Sequence, residues 1–227
     1  MSLFASAHDN SKIFLNASAS SWLSIIKENF SDIKKRFKEY FEKMKTKVRL
    51  EINHRLHNCF NLNTDGLEEK LIALKRDWGK IERKVLNGLE KITGLCFVKN
   101  YMDVYLINPD NRPSISSPTI VKFQDSTDKT ICIMIHELIH SLMWDNIQKN
   151  SWSIKVQKLF KNENRKTAIH IAVHAILEAV YTNILKKPEE ITQDINEMQK
   201  YPDYKRAWEI VKKEGYQNII DKLKSSK

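Results

Sequence analysis

The stretch Ile131-Cys132-Ile133-Met134-Ile135-His136-Glu137-Leu138-Ile139-His140-Ser141-Leu142 decides how the rest of this chain is read. Asp125-Ser126-Thr127-Asp128 just before it offers helix N-caps, so the stretch is expected in a helix from about Lys129 to Asn146. Residues four apart share a helix face, which points the imidazoles of His136 and His140 at one place. Two neutral imidazoles at that spacing suit a borderline cation such as zinc. Glu137 lies beside His136 and can act as general base toward a water. Burying two imidazoles and a carboxylate in an apolar helix without partners is costly, so the pattern itself asks for a ligand.

A catalytic zinc takes a third protein ligand and keeps one position open. The next apolar helix is expected from about Arg165 to Lys186, ended by Pro188. It carries His170, His174 and Glu178 four residues apart along one face. Adjacent helices can bring such a face against the first, as bundle metal sites do.

HExxH on one helix with a Glu on a downstream helix resembles the gluzincin metallopeptidases. The order helix, small sheet, HExxH helix, second helix over about Leu67 to Lys186 is similar to their small members, the minigluzincins. The resemblance implies an α+β zinc metallopeptidase cutting a peptide or protein substrate. It implies zinc on His136, His140 and Glu178, with Glu137 as the catalytic base. It also implies an edge strand, Thr119-Ile120-Val121-Lys122-Phe123, that aligns an extended substrate. Many gluzincins carry an Asp one turn after the ligand Glu, where this chain has Thr182. His174, one turn before Glu178, is therefore a rival third ligand or a neighbour supporting the site. His170 and Tyr181 are further candidates to stabilise an oxyanion.

Upstream, Ile26, Phe30, Ile33, Phe37, Phe41, Met44 and Val48 recur in steps of three and four, the mark of an amphipathic helix. The pattern fades through Ile52, Leu56 and Phe60. Leu67, Leu71, Leu74, Trp78, Ile81, Val85 and Leu89 form a second stripe, stopped at Thr93-Gly94. Two such helices predict an N-terminal helical hairpin. Leu95–Val98, Tyr101–Ile107 and Thr119–Phe123 read as three strands, with Pro118 suiting a sheet edge. The expected organisation is a tail over 1–24, a basic helical extension over 25–66, a metallopeptidase core over 67–187 and a helical C-terminal tail over 188–227.

The 227 residues carry 38 Lys and Arg against 28 Asp and Glu, a net charge of +10. Lys27 to Arg55 holds 10 basic and 5 acidic residues. That face suits solvent, and allows nucleic acid or an anionic surface as partner. A zinc hydrolase acting on nucleic acid, or a silent regulatory module of the same fold, are therefore the competing functions. His54 and His57 lack the four-residue spacing and are expected to be exposed. Trp22, Trp144, Trp152 and Trp208 are expected as packing anchors. Cys59, Cys96 and Cys132 are odd in number and match no CxxC, which favours a reducing, cytoplasmic setting. No signal peptide is apparent, and no apolar run suggests a transmembrane segment.

Overall fold

The computed structural model describes residues 45–60, 62–108, 114–147 and 152–225. Strand β1 (Lys47–Ile52) leads into a short helix α1 (His54–Phe60) and then the long helix α2 (Leu67–Thr93). Three strands follow: β2 (Tyr101–Ile107), β3 (Ile115–Ser116) and β4 (Thr119–Lys122). Helix α3 (Thr127–Asp145) carries the HExxH, and α4 (Trp152–Leu159) connects it to α5 (Arg165–Ala179). The end of α5 widens into a π-helical turn over Val180–Leu185. Helices α6 (Ile191–Met198), α7 (Pro202–Glu214) and α8 (Tyr216–Ser225) complete the described chain.

The fold is mixed α and β, mostly helical, with a four-stranded sheet in the order β1-β2-β4-β3. β1 runs parallel to β2, β2 parallel to β4, and β3 antiparallel to β4. Three expectations are corrected here. The segment Lys47–Ile52 is a strand and does not continue a helix. Val48, Leu50 and Ile52 alternate, and Leu50 is buried while Val48 and Ile52 pack on the core. That period of two serves a strand, and pairing with β2 overrides the four-step reading of the same residues. The first helix of the expected hairpin falls on 25–44, outside the described residues. Leu95–Val98 is irregular rather than a strand. Thr119–Phe123 is not an edge: Thr119–Lys122 pairs on both sides, and the edge next to it is β3. Pro118 sits in the turn between them.

Helix α2 buries Leu67, Leu71, Leu74, Trp78, Val85 and Leu89 of the expected stripe, with Ile81 partly buried against the core and Leu86 buried in addition. Gly94 ends it with φ 71°, and its N–H donates to the Glu90 carbonyl. That left-handed cap is open to glycine at no steric penalty. His57 is fully buried: its Nδ1 lies 2.9 Å from the Asn53 carbonyl and its Nε2 accepts from the Asn108 N–H at 3.2 Å. It ties α1 to the end of β2 rather than facing solvent.

The C-terminal helices are part of the core. Ala207, Trp208, Ile210 and Val211 of α7 and Ile219, Ile220 and Leu223 of α8 are buried, and both helices pack on α5. The helix Arg165–Leu185 is long and apolar enough to cross a membrane by length and composition. In this fold 67% of its most apolar window is buried inside the protein, as in a central core helix.

Candidate metal centre

Helix α3 starts at Ser126, whose side chain accepts from the Lys129 N–H at 3.3 Å. Its residues Thr130 to Cys132 and Met134 to Ile139 are buried, so His136 and Glu137 enter the interior on a helix with no freedom to turn away. Helix α5 starts at Asn164, whose side chain accepts from the Thr167 N–H at 2.9 Å. Its inward face delivers His170 and His174 to the same place.

One nitrogen each from His136, His140 and His170 lie within 4.8 Å of one another. The Nε2 atoms of His136 and His140 are 3.2 Å apart. Two ligands of a tetrahedral ion with bonds of ~2.0–2.1 Å sit about 3.3 Å apart, so this pair is already at ligand spacing. His170 Nδ1 lies 2.7 Å from the Lys166 carbonyl, which fixes the proton on Nδ1. That leaves His170 Nε2 as a lone pair, buried and without a hydrogen-bond partner. An orphaned lone pair aimed at two converging imidazoles fits a metal ion.

The electrostatics agree. Burial pushes His140 down to about 3 and His170 down to about 4. His136 and His174 are held well below the usual histidine range, by burial first and by neighbouring rings second. All four are therefore neutral near pH 7, the form that ligates a metal. Burial raises Glu137 to about 7, opposed by a hydrogen bond with Ser116. Ser116 belongs to edge strand β3. Its carbonyl accepts from the Ser141 hydroxyl at 3.1 Å and from the Thr119 hydroxyl at 3.1 Å, so the sheet edge is tied directly to the HExxH helix.

His170 supplies the third nitrogen of this cluster. Glu178 lies eight residues beyond His170, ~12 Å along the helix at 1.5 Å per residue. It is outside the cluster. Its carboxyl is raised by burial and opposed by Lys212, and its Oε2 has no hydrogen-bond partner. His174 comes closer. Its ring is 5.7 Å from those of His136 and His170, yet it stacks on Trp208 at 4.3 Å and 12°. Both its nitrogens are buried without a partner. Tyr181, eleven residues past His170, is buried in the apolar core. Ile120, Val121 and Phe123 are also core residues, so the strand expected to align a substrate faces inward.

Two neighbours of the centre escaped sequence reading. Tyr204 of α7 covers the histidines from the C-terminal side, 4.1 Å from the His170 ring and 6.1 Å from the His136 ring. Tyr204 and Trp208 are one turn apart, a signal that identifies a shared face but not what it meets. Ser116 ends the two-residue strand β3 just before the Ser117-Pro118 turn, with no periodicity to mark it. On the other side His140, Ser116 and Ser117 line an open cleft of about 480 Å³.

No family model, no curated protein and no solved structure matches this chain. What it can do must be read from this centre alone.

Proposed function

We propose that this protein is a zinc-dependent hydrolase of peptide bonds, with the metal held by His136, His140 and His170 and with Glu137 as general base. The observation that carries the reading is a buried carboxyl, raised to about 7, adjacent to a ligand histidine and bonded to the edge strand of an open cleft. Zinc held by three imidazoles supplies Lewis acidity toward a carbonyl oxygen and toward a water. Burial raises Glu137 above the ordinary carboxylate range, which strengthens it as a base that can take a proton and return it to a leaving amine. Ser116 orients its carboxylate.

Among the described residues β3 has no strand on its outer side, and an extended peptide can add to such an edge. The edge role expected of Thr119–Phe123 thus passes to Ile115–Ser116. This exposed edge supports a peptide over a nucleic acid. The three free cysteines fit a reducing, cytoplasmic setting. A second reading rests on His174: if it turned onto the metal, four histidines would close the site and leave a structural module. The test compares zinc-loaded protein with Glu137→Gln on a mixture of unstructured peptides and on RNA. We expect peptide cleavage that falls ~10²–10⁴-fold in the variant at unchanged zinc content. Cleavage of RNA alone overturns the choice of substrate; cleavage of neither, with zinc bound, favours the closed module.

A further inference from the structure

His136 and His140 lie within the long helix α3, whereas His170 comes from the second turn of α5. The His170 Nδ1 is 2.7 Å from the Lys166 carbonyl, in the first turn of that helix. First turns leave backbone N–H groups without helical partners and are where helices fray. The aim of the third metal nitrogen therefore depends on how firmly residues 164–167 are held. This turn has a cap of its own, the Asn164 side chain accepting from the Thr167 N–H at 2.9 Å.

A second helix fastens the same turn from outside. Asp203, the second residue of α7, accepts on one carboxylate oxygen from the Asn164 Nδ2 at 2.9 Å and from the Thr167 hydroxyl at 3.4 Å. Its other oxygen lies 3.5 Å from the Lys166 Nζ. One carboxylate thus engages the cap residue and two residues of the first turn. The next residue, Tyr204, sets its ring 4.1 Å from the His170 ring, and the Lys166 Nζ lies 5.1 Å from the centre of that tyrosine. Helix α7 makes a further tie to this region, with Arg206 donating to Glu163 at 2.8 Å. Glu163 precedes the cap, so that tie does not reach the turn whose carbonyl holds His170.

Resting on the metal reading above, we propose that Asp203 is a positioning residue for the metal centre: it fixes the first turn of α5 and, through the Lys166 carbonyl, keeps the His170 ring aimed at the point shared with His136 and His140. Ion pairs and hydrogen bonds open to solvent add little to overall stability. The effect of Asp203 falls instead on metal affinity, where loss of a group that orients a ligand typically costs ~10–100-fold. Helix α7 is thereby part of the metal site, although it supplies none of the three histidines.

The experiment uses the full chain and zinc alone. Zinc affinity is read by competition with a chromogenic chelator, and the folding of zinc-free protein by its thermal transition. Asp203→Ala should weaken zinc ~10–100-fold. Arg206→Ala, which cuts the other tie between α5 and α7, should change it by less than about threefold, with both zinc-free variants melting close to the parent. Asp203→Asn keeps an acceptor for Asn164 and Thr167 and should restore most of the affinity. Asn164→Asp keeps the cap acceptor but sets a second carboxylate against Asp203, so it should weaken zinc as well; it is the variant to use if Asp203→Ala does not fold. With cobalt(II) in place of zinc, the visible absorption of Asp203→Ala should change in position or intensity, a signature of altered ligand geometry that lost stability alone does not produce. Unchanged zinc affinity in Asp203→Ala and Asn164→Asp, or an equal loss in Arg206→Ala, overturns the positioning role. If His170→Ala binds zinc as tightly as the parent, the metal reading fails and this proposal with it. No step uses turnover, so failure of the hydrolase reading alone does not alter the result.

Discussion

Two helices of this protein carry the same local device, a pair of histidines four residues apart, and use it differently. On α3, His136 and His140 converge until their nitrogens are 3.2 Å apart. On α5 only His170 joins them, while His174 lies flat on Trp208. The helical repeat is identical, so the difference comes from what each second histidine meets. His140 meets the rings of His136 and His170 and opens toward a cleft. His174 meets an indole from α7, more than thirty residues away in sequence. Spacing makes two rings neighbours; the surrounding packing decides whether both become ligands.

The sharpest way to break this comparison is to remove its shared member. His170→Ala should abolish zinc binding as fully as His136→Ala or His140→Ala. The loss should exceed the ~100-fold upper range seen for a supporting residue, measured by competition with a chromogenic chelator. Glu178→Ala should retain zinc. The reverse ranking would restore the carboxylate as third ligand and undo the geometry above.

Acidification should affect both histidine pairs together. Their folded-state pKa values are lowered below the ordinary 6.5, to about 3 for His140 and about 4 for His170. The unfolded chain therefore takes up protons first. The stability these rings contribute is present above pH ~6.5 and is lost as pH falls toward 4. Glu137 acts in the opposite sense: raised from 4.5 to about 7, it contributes below pH 4.5 and loses that contribution as pH rises through 7. Four rings outweigh one carboxyl, so zinc-free protein should melt at a lower temperature at pH 5 than at pH 7.5. Glu137→Gln should raise the melting temperature more at pH 8 than at pH 5. A flat profile between pH 5 and 7.5 would mean that the rings are not buried neutral.

The smallest effect is expected at His174. Replacing it with Phe keeps an aromatic ring against Trp208 and removes two unpartnered nitrogens. Zinc should stay bound, and stability should change by less than ~1.5 kcal/mol, the usual range for a swap that nearly conserves shape. Loss of zinc would sharpen the comparison in the other direction, making His174 a fourth ligand and favouring the closed module.

The sequence by itself determined the elements whose signal is local. The stripe from Leu67 to Leu89 specified α2, the capping residues Asp125 to Asp128 marked the start of α3, and the HExxH spacing placed His136, Glu137 and His140 together on one helix. Each depends on residues within a turn or two of one another, where helical geometry leaves few alternatives. Tertiary structure decided what depends on distant partners. Val48, Leu50 and Ile52 fit either period until β2 supplies a strand to pair with. Thr119–Lys122 lies inside the sheet because Ile115–Ser116 folds back beside it, across a turn that no periodicity announces. Glu178 is the third ligand the resemblance implies, yet eight residues of helix, ~12 Å along the axis, separate it from His170, and it lies outside the cluster of His136, His140 and His170. Trp144 and Trp208 look alike in sequence. One is exposed beside the cleft and the other is sealed against His174, because only the packing of α7 on α5 determines which surface is covered.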